Sequence, residues 1–222
     1  MTVNPLAKDP YNLIITGVGG QGNVMASRVL GNMMVKDGYR VTIGETFGAS
    51  QRGGSVMSHL RISKAGTWSP QIPKGQADFI IALEPSEALR LLSVYGNPQV
   101  RILSNTRPIH SVDVIAGDAK YPSMNEIRSS IEELTADAWF VAATDEAVKM
   151  GNPIYGNIII LGALAGTGAF PMDRESFRAV IGENFPEDKL ETNVRAYDLG
   201  FEMVSRGQKV CFEGASLNAE HR

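Results

Sequence analysis

The chain has 222 residues, 43% hydrophobic and 20% charged, which suffices for the core of one α/β domain and is short for two full-sized ones. A formal net charge of −3 argues against a general nucleic-acid binder, which needs a basic face. The single cysteine, Cys211, rules out an internal disulfide and any cysteine-built zinc or iron–sulfur site in this chain; between Val210 and Phe212 it has the setting of a packed thiol.

Residues 1–10 lack the apolar stretch of a signal peptide. Residues 158–170, the most apolar segment, are too few and too glycine-rich to span a bilayer comfortably. The expectation is a cytoplasmic protein with no membrane and no nucleic-acid partner.

In chain order, residues 12–16 form a short apolar run that glycines stop at once, as expected of a buried strand. From Gln21 to about Val35, Ala26, Val29, Leu30, Met33 and Met34 recur at helical spacing, and Asp37-Gly38 supplies the stop. Residues 39–43 are a second strand, so strand, glycine turn, helix and strand make a βαβ unit and predict a parallel sheet. Residues 44–54 are glycine-rich and polar, hence a loop. Residues 55–62 alternate like a half-buried strand, with Val56, His59 or Leu60, and Ile62 facing inward.

Residues 78–83 and 100–103 are further strands, with a helix between them that Pro85 opens. Ser123, with Glu126 three residues on, has the form of a capping box for a helix to Leu134, and residues 139–142 are strand-like. Residues 158–169 are apolar nearly all round, which in a soluble protein means a buried core helix. Asp173 caps a helix to about Ile181, and a last helix from Glu187 carries Leu190, Val194, Tyr197, Phe201 and Val204 as one stripe. The fold class is α/β: one domain over 1–222 with a mainly parallel, Rossmann-like sheet flanked by helices, and a helical C-terminal region at about 151–206. Residues 218–222, with His221, form a tail expected to be disordered.

Gly17-Val18-Gly19-Gly20-Gln21-Gly22 satisfies G-x-G-x-x-G between a strand and a helix. Glycines permit the tight turn, and unpaired amides at a positive helix end favour a phosphate. Glu45, at the end of the second strand, stands where a dinucleotide-binding fold places the acid for a ribose hydroxyl. A nicotinamide or flavin site, a nucleotide-binding regulatory module, and a turn that holds another phosphate or nothing all remain open on these residues. No base or acid at a later strand end supports a stand-alone dehydrogenase.

The segment Gln51-Arg52-Gly53-Gly54-Ser55-Val56-Met57-Ser58-His59-Leu60-Arg61 has no reading in general motif physics. Together with the glycine loop and Ala26-Ser27-Arg28 it resembles the gamma-type subunits of pyruvate and ketoisovalerate ferredoxin oxidoreductases, and most nearly the beta subunit type of indolepyruvate oxidoreductases. Gly151-Asn152-Pro153, Asn157, Leu161-Gly162-Ala163, Asn193, Ala196 and Gly200 extend the likeness over nearly the whole chain. Asn23, and residues 47–50 where many relatives have a methionine-alanine pair, depart from it.

The resemblance implies an accessory subunit, inactive alone, of an enzyme that oxidatively decarboxylates a 2-oxoacid to an acyl-CoA and passes electrons to ferredoxin. An aryl pyruvate such as indolepyruvate is the expected acid. Thiamine diphosphate and iron–sulfur clusters then belong to a larger catalytic partner subunit. This chain is expected to contribute coenzyme A contacts and assembly through Gly17, Gly19, Gly20, Gln21 and Gly22, and through Gln51, Arg52, Gly53, Gly54 and Ser55, with no catalytic residue and no metal ligand of its own. Arg52 suits either a phosphate or carboxylate or an ion pair with the partner. His59 is expected to be structural, and His110 to sit in a loop.

Overall fold

The computed structural model describes residues 6–46 and 54–205. Gln51, Arg52, Gly53, Cys211 and His221 lie outside them. Six strands form one sheet in the order β2-β3-β1-β4-β5-β6. They are β1 (Tyr11–Val18), β2 (Arg40–Thr46), β3 (Ser55–Ser63), β4 (Phe79–Ala82), β5 (Arg101–Asn105) and β6 (Asp137–Val141). β1, β4, β5 and β6 pair in parallel, while β3 runs antiparallel to both its neighbours.

β3 modifies the expected βαβ unit. After helix α1 (Asn23–Lys36) the chain enters β2, which does not pair with β1; the returning β3 fills the place between them. An interior position explains why both His59 and Leu60 are buried, where a half-buried strand would hide one of the two. Leu60 and Ile62 face α1, whereas His59 faces Tyr95 on the other side, with ring centroids 5.2 Å apart.

Helices cover both faces. α2 (Pro85–Tyr95) and α4 (Met124–Leu134) pack through Ala88, Leu91, Ile127 and Ile131 against Ile14, Ile80 and Ile102. The other face carries α1, α6 (Gly156–Gly166), α7 (Arg174–Asn184) and α8 (Glu187–Ser205) over Leu13, Ile15, Phe79 and Leu103. Short helices α3 (Val112–Ala116) and α5 (Ala143–Lys149) follow β5 and β6. Two caps fall where expected: the Ser123–Glu126 box is complete and Asp173 accepts from Ser176 N–H; α2 opens at Pro85 with Glu84 as a cap that the sequence reading did not name.

α6 is buried on every side, and its contact with α8 is made by backbone. A methyl on Gly162 would lie 1.9 Å from the Tyr197 carbonyl oxygen, and one on Gly200 1.8 Å from that of Ile159. This close crossing revises the stripe on α8. Asn193, Val194, Ala196, Tyr197 and Gly200 are its buried positions, and Phe201 is 43% exposed, because an interface set by glycine has no room for a ring beside it. Among the described residues, no helix is long and apolar enough to cross a membrane.

Candidate functional site

The glycine loop leaves β1 at the point where the strand order reverses. The chain builds β2 and β3 to one side of β1, then β4, β5 and β6 to the other. A crevice opens at such a point beyond the carboxyl ends of the parallel strands, and ligands of open α/β sheets bind there. Here it is a cleft of about 710 Å³.

Within the loop, the Gln21 side chain does the fastening. Its Oε1 accepts from Val18 N–H at 2.7 Å, and its Nε2 donates to the Leu83 carbonyl at the end of β4 at 2.9 Å. A methyl at Gly17 would lie 2.6 Å from Gln21 Oε1, so this fastening needs glycine there. Gly19 N–H donates to the Gly54 carbonyl at 2.8 Å and Gln21 N–H to the Val18 carbonyl at 3.1 Å. Gly20 and Gly22 adopt φ of +99° and +83°, the left-handed region that glycine enters at no steric cost. α1 starts from Gly22 with no side-chain cap, so the first-turn amides of Asn23, Val24 and Met25 have no acceptor four residues back. Asn23 does not serve as that cap, because its amide turns into the sheet. With its nitrogen toward the Ile15 carbonyl (3.0 Å), it accepts from Ser58 N–H (3.2 Å).

The second motif reaches the same edge. Ser55 Oγ donates to Glu87 Oε2, which also accepts from Thr16 Oγ1 at 3.2 Å and from Arg90 Nε and Nη2 at 2.9 and 2.7 Å. One carboxylate thereby fastens the end of β1 to the start of β3. The other three residues of this motif assigned to the site, Gln51, Arg52 and Gly53, lie outside the described residues.

Three residues that sequence reasoning overlooked complete the wall. Asn105, at the end of β5, donates from Nδ2 to the Leu83 carbonyl (3.1 Å) and to Thr144 Oγ1 (2.8 Å), and it accepts from Thr144 N–H (3.3 Å). The ends of β4, β5 and β6 are cross-linked by this one amide. Arg107, at the mouth, pairs with Asp145 at 2.7 Å in a solvent-exposed ion pair. The signal for all three was position, since Asn105 ends β5 and Arg107 and Thr144 stand two and three residues beyond parallel strands.

Other singled-out residues have structural settings. His59 Nδ1 accepts from Ile72 N–H at 3.2 Å, and burial holds the imidazole below its ordinary pKa, so it stays neutral. Glu84, fully buried, accepts from Tyr121 OH, Ser86 Oγ, Glu87 N–H and Ile109 N–H. Burial first, and then the bond to Glu84, push the Tyr121 hydroxyl well above the usual phenol range. Glu45 does not occupy the ribose-acid position. β2 pairs with β3, Glu45 stands opposite Ser58, and two strand spacings of ~4.8 Å each separate it from β1.

Fold and cleft together define an α/β protein with a glycine-lined cleft at the switch point of its sheet and, among the described residues, no acid in the ribose position of a dinucleotide-binding fold. Residues 12–203 match the pyruvate ferredoxin/flavodoxin oxidoreductase family, and the chain belongs to that family. It is 40% identical over 192 residues to indolepyruvate oxidoreductase subunit IorB of Pyrococcus horikoshii, covering 86% of this chain and 94% of that one. Among solved structures, the gamma subunit of a keto/oxoacid ferredoxin oxidoreductase from Geobacter sulfurreducens superposes with a TM-score of 0.66 at 21% identity, over 91% of this chain and 100% of that one. A 2-oxoglutarate:ferredoxin oxidoreductase from Magnetococcus marinus, with 2-oxoglutarate, coenzyme A and succinyl-CoA bound, gives 0.71 at 19% identity, over 91% of this chain and 32% of that one. The last two likenesses concern the fold.

Proposed function

We propose that this chain is the cytoplasmic accessory subunit of a 2-oxoacid:ferredoxin oxidoreductase acting on an aryl pyruvate such as indolepyruvate, and that it supplies coenzyme A contacts and completes the assembly. The observation that carries the reading is the glycine loop. In a chain 40% identical to an indolepyruvate oxidoreductase subunit, unpaired amides at a helix start open on a roomy cleft at the switch point of the sheet. Backbone amides at a helix N-terminus bind phosphate without a lysine or a metal, and the side chains at this edge are already committed to holding the loops in place.

The division of labour follows from the family together with composition. The family implies thiamine diphosphate and iron–sulfur clusters that supply decarboxylation and electron transfer to ferredoxin, and a chain with one cysteine cannot by itself hold such a cluster, so we assign them to a larger partner subunit. This chain's residues bind and orient. Gly17, Gly19, Gly20, Gln21 and Gly22 hold a phosphate of coenzyme A, and Gln51, Arg52, Gly53, Gly54 and Ser55 form the neighbouring contact to the ligand or the partner.

Co-expression with the larger subunit and assay of indolepyruvate-dependent, CoA-dependent ferredoxin reduction tests this. The complex is expected to turn over and the isolated chain to be inert, and Gly20→Ala in the complex is expected to raise KM for coenzyme A about ten-fold. Keto-acid oxidation by the isolated chain, or micromolar NAD binding with no dependence on coenzyme A, overturns it.

A further inference from the structure

A second pocket opens on the α2 face of the glycine loop, across the sheet edge from the cleft. It holds about 250 Å³ and is lined by Val18 and Ser55, where the two motifs meet, by Glu87 of α2, and by Ile109, Val114 and Tyr121 of the segment after β5. Ile109 also lines the cleft, so the two cavities adjoin at this side chain. One carboxylate pins the segment in place, since Glu84 accepts from both Ile109 N–H and Tyr121 OH.

The floor of this pocket presents acceptors. Glu87 is 9% exposed, and the bonds its carboxylate accepts, from Thr16, Ser55 and two Arg90 nitrogens, all end on Oε2. Its Oε1 has no hydrogen-bond partner among the described residues. The Ser55 and Ser86 hydroxyls each donate to a carboxylate, which leaves them lone pairs to offer. Such a floor selects hydroxyl and N–H donors and repels a phosphate. Ile109, Val114 and Pro122 supply apolar wall.

Size decides which part of a ligand enters. Drug-sized ligands occupy roughly 300–1,000 Å³, so the cleft of about 710 Å³ admits a bulky group and the pocket of about 250 Å³ a slender chain. Dinucleotides lie across the crevice at a switch point, with one half on each side. Coenzyme A divides in the same way about its diphosphate. On one side is the bulky nucleoside. On the other is a thin pantetheine arm with a dimethyl carbon and a hydroxyl next to the phosphate, then two amides and the thiol.

We infer that the pocket is the pantetheine subsite. With a phosphate on the glycine loop and the nucleoside in the cleft, the arm crosses Val18 and Ser55, a hydroxyl or amide N–H donates to Glu87 Oε1, and the dimethyl carbon packs on Ile109 and Val114. The inference rests on the coenzyme A reading and deepens it.

Val114→Phe fills the pocket from α3, a helix with no buried residue, so the assembled complex is expected to keep its Tm. Its KM for coenzyme A is expected to rise about ten-fold, with kcat little changed. The Ki of 4′-phosphopantetheine, which has the arm and one phosphate but no nucleoside, is expected to rise by the same factor when it competes with coenzyme A in acyl-CoA formation. Glu87→Gln, which keeps the shape and replaces an acceptor oxygen with a donor, raises both by a smaller factor. A rise for coenzyme A alone places the nucleoside here and overturns the inference, as does failure of 4′-phosphopantetheine to compete in the wild-type complex. A rise with Val114→Phe that Glu87→Gln does not share is steric only and also overturns it. No rise with either variant, while Gly20→Ala raises KM, overturns it and leaves the coenzyme A reading standing. No rise with any of the three removes that reading as well.

Discussion

Gly22→Ala tests the geometry on which the cleft depends. Gly22 has φ of +83°, and an added methyl would stand 2.2 Å from Asn157 Nδ2. An L-residue in the left-handed region costs about 1–2 kcal/mol. Alanine in place of glycine at a helix start costs up to about 1 kcal/mol more. The contact is with the far end of a side chain, so Asn157 moves off its rotamer for about 0.5–1.5 kcal/mol. The sum is about 2–4 kcal/mol, or a fall in Tm of roughly 5–15 °C for a chain of this size. Gly20→Ala is the control. With φ of +99° and nothing within 4 Å of the added methyl, it carries the backbone cost alone, about 1–2 kcal/mol. Thermal and urea unfolding of wild type, G22A, N157A and G22A/N157A closes a double-mutant cycle, whose coupling is expected at about 1 kcal/mol in favour of the double variant. Equal losses for G22A and G20A, or a coupling of zero, refute the packing of Asn157 on Gly22.

The crossing of α6 and α8 gives a second contrast. Gly162→Ala and Gly200→Ala each drive a methyl into a carbonyl oxygen at under 2 Å that no rotamer change relieves, and each is expected to cost about 3 kcal/mol in urea unfolding. Gly182→Ala, inside α7 with nothing within 4 Å, is expected to stabilise by about 0.5–1 kcal/mol, so glycine content alone does not predict the outcome. Asp37 gives a pH signature. Burial, and secondarily Asp173, raise its carboxyl above the ordinary Asp value, so the folded state holds that proton more tightly than the unfolded chain does. The favourable contribution is present below about pH 3.9 and is lost as pH rises through the folded value. Asp37→Asn, which still accepts from Ser176 Oγ, is therefore expected to gain in Tm over wild type on going from pH 4 to 7. A gain that is largest at acid pH contradicts the sign.

Elements whose causes are local could be read from the sequence. The strand at residues 12–16, the Ser123–Glu126 box, the Asp173 cap and the apolar α6 each announce themselves within a few residues. What escaped depends on contacts distant in the chain. α5 has no cap of its own, because Thr144 N–H is capped by Asn105, 39 residues earlier. Phe201 fits the periodic stripe of α8 yet is exposed, because Gly162 and Gly200 bring the two helices together at backbone distance and leave the ring outside. The glycine motif lies at the edge where the cleft opens, while Asn105, Arg107 and Thr144 carry no motif and acquire meaning from the strand ends that bring them together.

The inserted strand β3 links the two motifs. Had β3 paired with β1 in parallel, its first residue would lie at the start of β1, ~26 Å from the glycine loop for an eight-residue strand rising ~3.3 Å per residue. Antiparallel pairing brings Ser55 opposite Val18 and Gly54 within hydrogen-bond reach of Gly19. The same insertion pushes β2, and Glu45 with it, one strand outward. One topological change therefore moves the strand-end acid away from β1 and delivers a second glycine-bearing segment to the edge where the glycine loop lies. Glu87 completes the change by accepting from Thr16 and Ser55 together, so the two segments meet at this edge as one unit.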